Sequence, residues 1–268
     1  MKLQLRSFVR PILVGLILSV VGCYTNPVTG RQYAVMTSMG EELQLGAQAF
    51  AEVKRTEPIS RDPAANARVQ RVGKRIADAV GNQLPGAEWE FVVFQSNELN
   101  AFALPGGKVG VYSGLLELLD VDDELAAVIG HEIGHVVARH GGKRMTEATI
   151  VGLVGTAGAI AVDRKYGSEK SELFMLAYGG ISTVGYVLPH SRGDESEADL
   201  MGLQYAAAAG YDPAAAVTVW QKMEQASGAS KTPVWLSTHP SNSQRIATLR
   251  EAAPRYQQLY LANKARYE

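Results

Sequence analysis

Apolar and polar positions recur with two different periods along this chain, and the change of period outlines the fold. Between Glu41 and Arg55 the apolar residues Leu43, Leu45, Ala47 and Phe50 predict a helix. Pro63 marks a boundary to a second helix, Asn66 to Val80, in which Val69, Val72, Ile76 and Val80 repeat at helical spacing. Trp89 to Phe94 is aromatic and β-branched, which predicts a strand. Ala101 to Leu104 and Lys108 to Tyr112 predict two more, joined by a turn at Pro105-Gly106-Gly107. Ser113 opens a long helical half. A small sheet followed by many helices is an α+β order, mainly helical.

Two apolar stretches interrupt this pattern. Ile150 to Val162 is rich in small residues, and Leu173 to Leu188 is broken by Gly179-Gly180 and Gly185. Both fall short of about 18 unbroken apolar residues, so buried or membrane-facing helices are expected rather than spans.

The N-terminal residues follow another logic. Lys2, Arg6 and Arg10 precede an apolar run from Pro11 to Val21, which has the form of a signal peptide over residues 1–22. The sequence Val20-Val21-Gly22-Cys23 resembles a bacterial lipobox, which implies lipidation at Cys23. Cys23 is the only cysteine, so no intramolecular disulfide can form, and a lipid would remove an exported thiol. Residues 23–40, with the turn-rich Asn26-Pro27-Val28-Thr29-Gly30-Arg31, are expected to be a lipid-anchored tether. Residues 41–268 then form one domain, and the 46% hydrophobic composition suffices for its core. Tyr24 stands where lipoproteins held at the inner membrane usually carry Asp. The expected address is therefore the bacterial periplasm, anchored to the outer membrane. A net charge of −1 gives no footing for nucleic-acid binding.

The chemistry concentrates at His131-Glu132-Ile133-Gly134-His135. On a helix, residues four apart share a face, so the two imidazoles aim at one point. Glu132, beside the first, can act as general base on an activated water. A hydrolytic zinc site needs three protein ligands and an open fourth position. The third ligand lies elsewhere. A metzincin would carry Gly and His where Ala138 and Gly141 stand. His140 lies half a turn from His131, on the opposite face, so it is expected to stay out of the site and cap the helix end, with Gly141-Gly142 closing the helix. The segment Arg192-Gly-Asp-Glu195-Ser-Glu197-Ala-Asp199-Leu-Met-Gly202 also reads as a helix. Glu195 and Asp199 share a face, Glu197 points nearly opposite, and Gly202 permits close packing. One carboxylate can bind zinc while the other orients a ligand imidazole; spacing leaves open which does which.

These segments together resemble the HtpX-type zinc metallopeptidases, the family that includes the CAAX prenyl endopeptidases. The resemblance rests on His131 to His140 and Glu195-Ser-Glu-Ala-Asp199. Asn97 to Gly107, Gly210-Tyr211-Asp212-Pro213 and Ser237-Thr238-His239-Pro240 add to it. It covers residues 36 to 250 and is strongest to the single-domain periplasmic lipoprotein branch. It implies a zincin-type (gluzincin) fold and one Zn2+ per chain, held by His131, His135 and Glu195, with Asp199 behind them. It places His239 near the metal, either donating to the oxyanion or plugging the fourth position. Arg245 follows in a family-like ending that starts at Ser241.

The reaction so implied is hydrolysis of peptide bonds in unfolded or misassembled cell-envelope proteins, a quality-control role. Ala101, Phe102 and Ala103 are the expected substrate-binding residues, as an edge strand to which an extended peptide adds. Two other classes fit the motifs: a chaperone-like module with structural zinc, and a zinc hydrolase of small molecules.

Overall fold

The computed structural model describes residues 22–182, 191–227, 233–239 and 243–267. The signal-like segment up to Val21, residues 183–190 and Pro240-Ser241 lie outside them. The described chain is mainly helical with a small sheet, the α+β class expected. It divides into two compact units.

The smaller unit takes residues 1–26, 30–38 and 141–187. Its two strands, β1 (Gly22–Thr25) and β2 (Gln32–Val35), pair antiparallel with Cys23 opposite Ala34. The segment expected as a tether is therefore a hairpin, and the Asn-Pro-Val-Thr-Gly stretch is its turn. Cys23 is exposed.

The larger unit takes residues 27–29, 39–140 and 188–268. It opens with α1 (Met39–Thr56) and α2 (Pro63–Val80). Asp62 caps α2 through Ala64 and Ala65, and Pro63 supplies a first helical turn that needs no donor. Val69, Val72, Ile76 and Val80 are all buried, as their spacing predicts. The sheet comprises β3 (Glu90–Phe94), β4 (Ala101–Leu104) and β5 (Lys108–Tyr112), in the order β3-β5-β4. β5 is central, parallel to β3 and antiparallel to β4, so β3 and β4 are the two edges.

After the short α3 (Ser113–Leu118) comes α4 (Asp122–Val137), which carries the paired histidines. Every residue from Glu124 to Val137 is buried. Leu125, Val128, Ile129, Ile133 and Val136 each remove a side chain from water, worth roughly 1.5–3 kcal/mol apiece for the larger ones. The acidic start of α4 fastens it to its neighbours. Asp122 accepts from Arg68 and Arg71, the Asp123 carboxylate accepts from Asp212 N at 2.8 Å, and Glu124 pairs with Lys222 at 2.7 Å. α4 ends before the glycine pair. Arg139 takes φ 54°, which breaks the helical path, and a new helix, α5 (His140–Tyr166), starts at once. Only Gly141 onward belongs to the smaller unit, which also holds α6 (Ser168–Ser182).

α5 is longer than the apolar stretch it contains. It begins ten residues before Ile150 and is, by length and composition, long and apolar enough to cross a membrane. Ile150, Leu153, Val154 and Ile160 on it are exposed.

The remaining helices are α7 (Arg192–Ala208), α8 (Ala215–Ser227), the short α9 (Val234–Thr238), α10 (Ser243–Ala252) and α11 (Gln257–Lys264). Ser191 caps α7 by accepting from Asp194 N. α7 crosses α4 on glycine. A Cβ at Gly202 would stand 3.0 Å from His131 N, and one at Gly130 would stand 3.0 Å from the Gly202 carbonyl oxygen. The contact is backbone against backbone, so it has no side chain to give way. Gly202→Val is expected to force the two helices apart at a cost of about 1–3 kcal/mol. Denaturant unfolding checks this, and an unchanged midpoint would contradict the close-packing account.

Candidate metal centre

The α4–α7 crossing brings the sequence-predicted residues together. His131 and His135 lie on the face of α4 that meets α7, where Glu195 sits in the first turn; all three are buried. Their ring nitrogens His131 Nε2 and His135 Nε2 are 3.1 Å apart. The Glu195 carboxylate is 3.5 Å from the first and 3.3 Å from the second. His239, just past α9, places Nδ1 at 3.3 Å from His131 Nε2 and 3.1 Å from Glu195 Oε1.

This set fits a zinc ion. Ligands at ~2.0–2.1 Å in tetrahedral order stand about 3.3 Å from one another, which is the spacing found. The far nitrogen of each α4 imidazole is already engaged, His131 Nδ1 by Asp199 at 3.0 Å and His135 Nδ1 by His140 at 2.8 Å. The Nε2 lone pairs therefore converge with a carboxylate in a buried space. Such a cluster requires a cation, either a proton or a metal. His131, His135 and Glu195 would hold zinc, and His239 lies in the same buried cluster, where it would face the remaining position.

The charges around the cluster are paired. Arg245, on α10, reaches Glu195 and Asp199, each at 2.5 Å, and its guanidinium lies 3.8 Å over the Trp220 ring. Arg245 thus belongs to the site by direct contact with both carboxylates. Burial disfavours the charged form of Asp199, but Arg245 and His131 outweigh it and hold its pKa below the ordinary value. Burial likewise opposes ionisation of Glu195, and the surrounding imidazoles more than reverse it. For His131 burial lowers the pKa, yet Asp199 and Glu195 prevail and hold it up at about 9.

Glu132 is also buried, and its Oε1 accepts from the Trp235 indole N–H at 2.6 Å. His239 Nε2 lies 3.5 Å from the same oxygen. Ala101, Phe102 and Ala103 form the edge strand, but their side chains turn inward. Ala101 is buried, Phe102 packs with Phe50, Phe94 and Tyr112, and Ala103 packs on the main core. Any recognition by this strand would use its backbone.

Sequence reasoning missed three contributors. Trp235 and Trp220 reach the site from separate helices with no fixed spacing to the histidines. His140 was assigned to the opposite face because a straight helix puts it there. The bend at Arg139 turns its ring back onto His135 instead, and it is not a helix-end cap of α4.

The model of peptidase family M48 matches residues 63–253, the span that contains all of these groups. This chain belongs to peptidase family M48. That agrees with the HtpX-type resemblance of its motifs. Mitochondrial metalloendopeptidase OMA1 of Schizosaccharomyces pombe is 34% identical, over 86% of this chain and 66% of that protein. OMA1 of Bos taurus is 32% identical, over 85% and 46%. The Beta-barrel assembly-enhancing protease of Escherichia coli K12 is 29% identical, over 85% and 47%. The chain thus spans about two thirds of the fission yeast protein's length and about half of the other two.

The raised His131 pKa fixes a pH dependence. In the metal-free form His131 contributes its stabilisation in full below about pH 6.5, and that contribution is lost as pH rises through about 9. Zinc must displace this proton. Zinc affinity, measured by competition with a chelator, is therefore expected to rise by up to about tenfold per pH unit between pH 6.5 and 9. A flat profile would contradict the assignment of His131.

Proposed function

We propose that this chain is a zinc-dependent endopeptidase that cleaves unfolded or misassembled cell-envelope proteins. The observation that carries the reading is the convergence of His131, His135 and Glu195 at tetrahedral spacing, with Glu132 next to them. The names of the relatives, metalloendopeptidases and an assembly-enhancing protease, support peptidase chemistry and a quality-control role. The signal-like N-terminus and the exposed Cys23 support a lipid anchor and a periplasmic address at the outer membrane.

Zinc, when bound, supplies Lewis acidity that polarises the scissile carbonyl and eases deprotonation of water. The remaining work falls to side chains. Glu132 takes the proton from the attacking water and passes it to the leaving amine. The Trp235 N–H keeps the Glu132 carboxylate in one orientation for both transfers. β4, an edge strand packed beside α4, offers backbone groups to an extended peptide and asks little of its sequence. That suits an unfolded segment better than a small molecule.

With Nδ1 3.3 Å from His131 Nε2 and 3.1 Å from Glu195 Oε1, His239 would take the open position of bound zinc and close the resting site. Activity then requires the α9 loop to swing out, after which His239 is placed to donate to the oxyanion. His239→Ala is expected to raise basal turnover of an unfolded protein; unchanged or lower turnover would remove the plug from the account. Glu132→Gln is expected to retain zinc and lower turnover by two to four powers of ten, roughly the contribution of a general base. Should Glu132→Gln leave the cellular function intact, a zinc-containing chaperone-like module would be the better reading.

A further inference from the structure

A second buried group, His140, Asp194 and Glu197, lies on the far side of His135 and has the composition of a metal site. Its proton arrangement gives it a different use. His135 turns Nε2 toward His131 and Glu195, so its proton is on Nδ1. His135 Nδ1 then donates to His140 Nδ1 at 2.8 Å. With Nδ1 accepting, His140 carries its own proton on Nε2, which faces Glu197 Oε2 at 3.1 Å and Asp194 Oδ1 at 3.7 Å. The Thr29 hydroxyl donates to the other oxygen of Glu197. No lone pair on His140 is left for a second ion.

We propose that His140 is a positioning residue for the metal centre, the middle link of a relay from Thr29 through Glu197 and His140 to His135. The relay rests on the reading of His131, His135 and Glu195 as zinc ligands. It sets the tautomer and ring plane of His135, as Asp199 does for His131 at 3.0 Å. Both ligand histidines of α4 are thus oriented from α7: His131 directly, His135 through an intervening imidazole. An imidazole is needed there because Glu197 points away from Glu195 on α7, so its carboxylate is one ring short of His135. Full burial of His140, at 0% exposure, keeps water from competing for either nitrogen.

The test compares full-length wild type with His140→Leu, His140→Asn and Glu197→Gln. It measures zinc affinity by chelator competition, metal stoichiometry, and the visible absorption spectrum of the Co2+-substituted protein. Leu removes the acceptor, and zinc affinity is expected to fall about 10- to 100-fold with an altered Co2+ spectrum. Asn places Oδ1 near the position of His140 Nδ1, and is expected to restore most of the affinity and the spectrum. Glu197→Gln is expected to fall between them. If His140→Leu does not fold, as judged by circular dichroism, Asn and Gln carry the comparison through their spectra and affinities. Wild-type affinity and spectrum in every folded variant would overturn the relay. So would a second equivalent of metal in the wild type that His140→Leu abolishes. A wild type that binds no zinc would overturn the metal-site reading itself, a result distinct from variants that bind normally.

Discussion

The structure depends on the packing of two helices close enough to share one cation. His131, His135 and Glu195 are buried where α4 crosses α7, and their electron pairs face one another across little more than 3 Å. Without a cation this arrangement would cost several kcal/mol of uncompensated desolvation. The crossing reaches that separation only because Gly130 and Gly202 let backbone meet backbone. The fully buried face of α4 and the ion pairs at its acidic N-terminus hold the helix in place against this desolvation cost.

The surrounding groups divide the work of supporting the centre. Arg245 pairs with both Glu195 and Asp199 while stacking on Trp220, which stacks on Trp235 with centroids 4.6 Å apart. Trp235 in turn fixes Glu132. A single aromatic and guanidinium stack therefore connects Glu195 to Glu132. His239 follows Trp235 on the same short segment, so a movement that withdraws His239 would also disturb the hold on Glu132. The positions of His239 and Glu132 are thus coupled through α9, a five-residue helix.

Much of this was legible in the sequence where the signal was local and periodic. His131, Glu132 and His135 follow from helical geometry alone, and the three sheet strands from their β-branched and aromatic runs. Glu195 and Asp199 could be placed on one face, but spacing did not tell which faces the imidazole Nε2 atoms; the structure puts Glu195 there and Asp199 at His131 Nδ1. His140 was misread because a single non-glycine residue, Arg139, takes a positive φ, and no propensity rule anticipates that bend. Trp235, Trp220 and Thr29 converge from distant segments by tertiary packing, which leaves no spacing to read. The β1–β2 hairpin escaped notice because its strands are only four residues each and lie next to the signal-like segment.

Zinc K-edge X-ray absorption on the purified protein tests the central claim most directly. The account predicts one zinc per chain with nitrogen and oxygen ligands only, four in number at ~2.0–2.1 Å, and strong imidazole scattering. A protein without bound zinc, or one whose metal shows a six-oxygen octahedral shell, would contradict it.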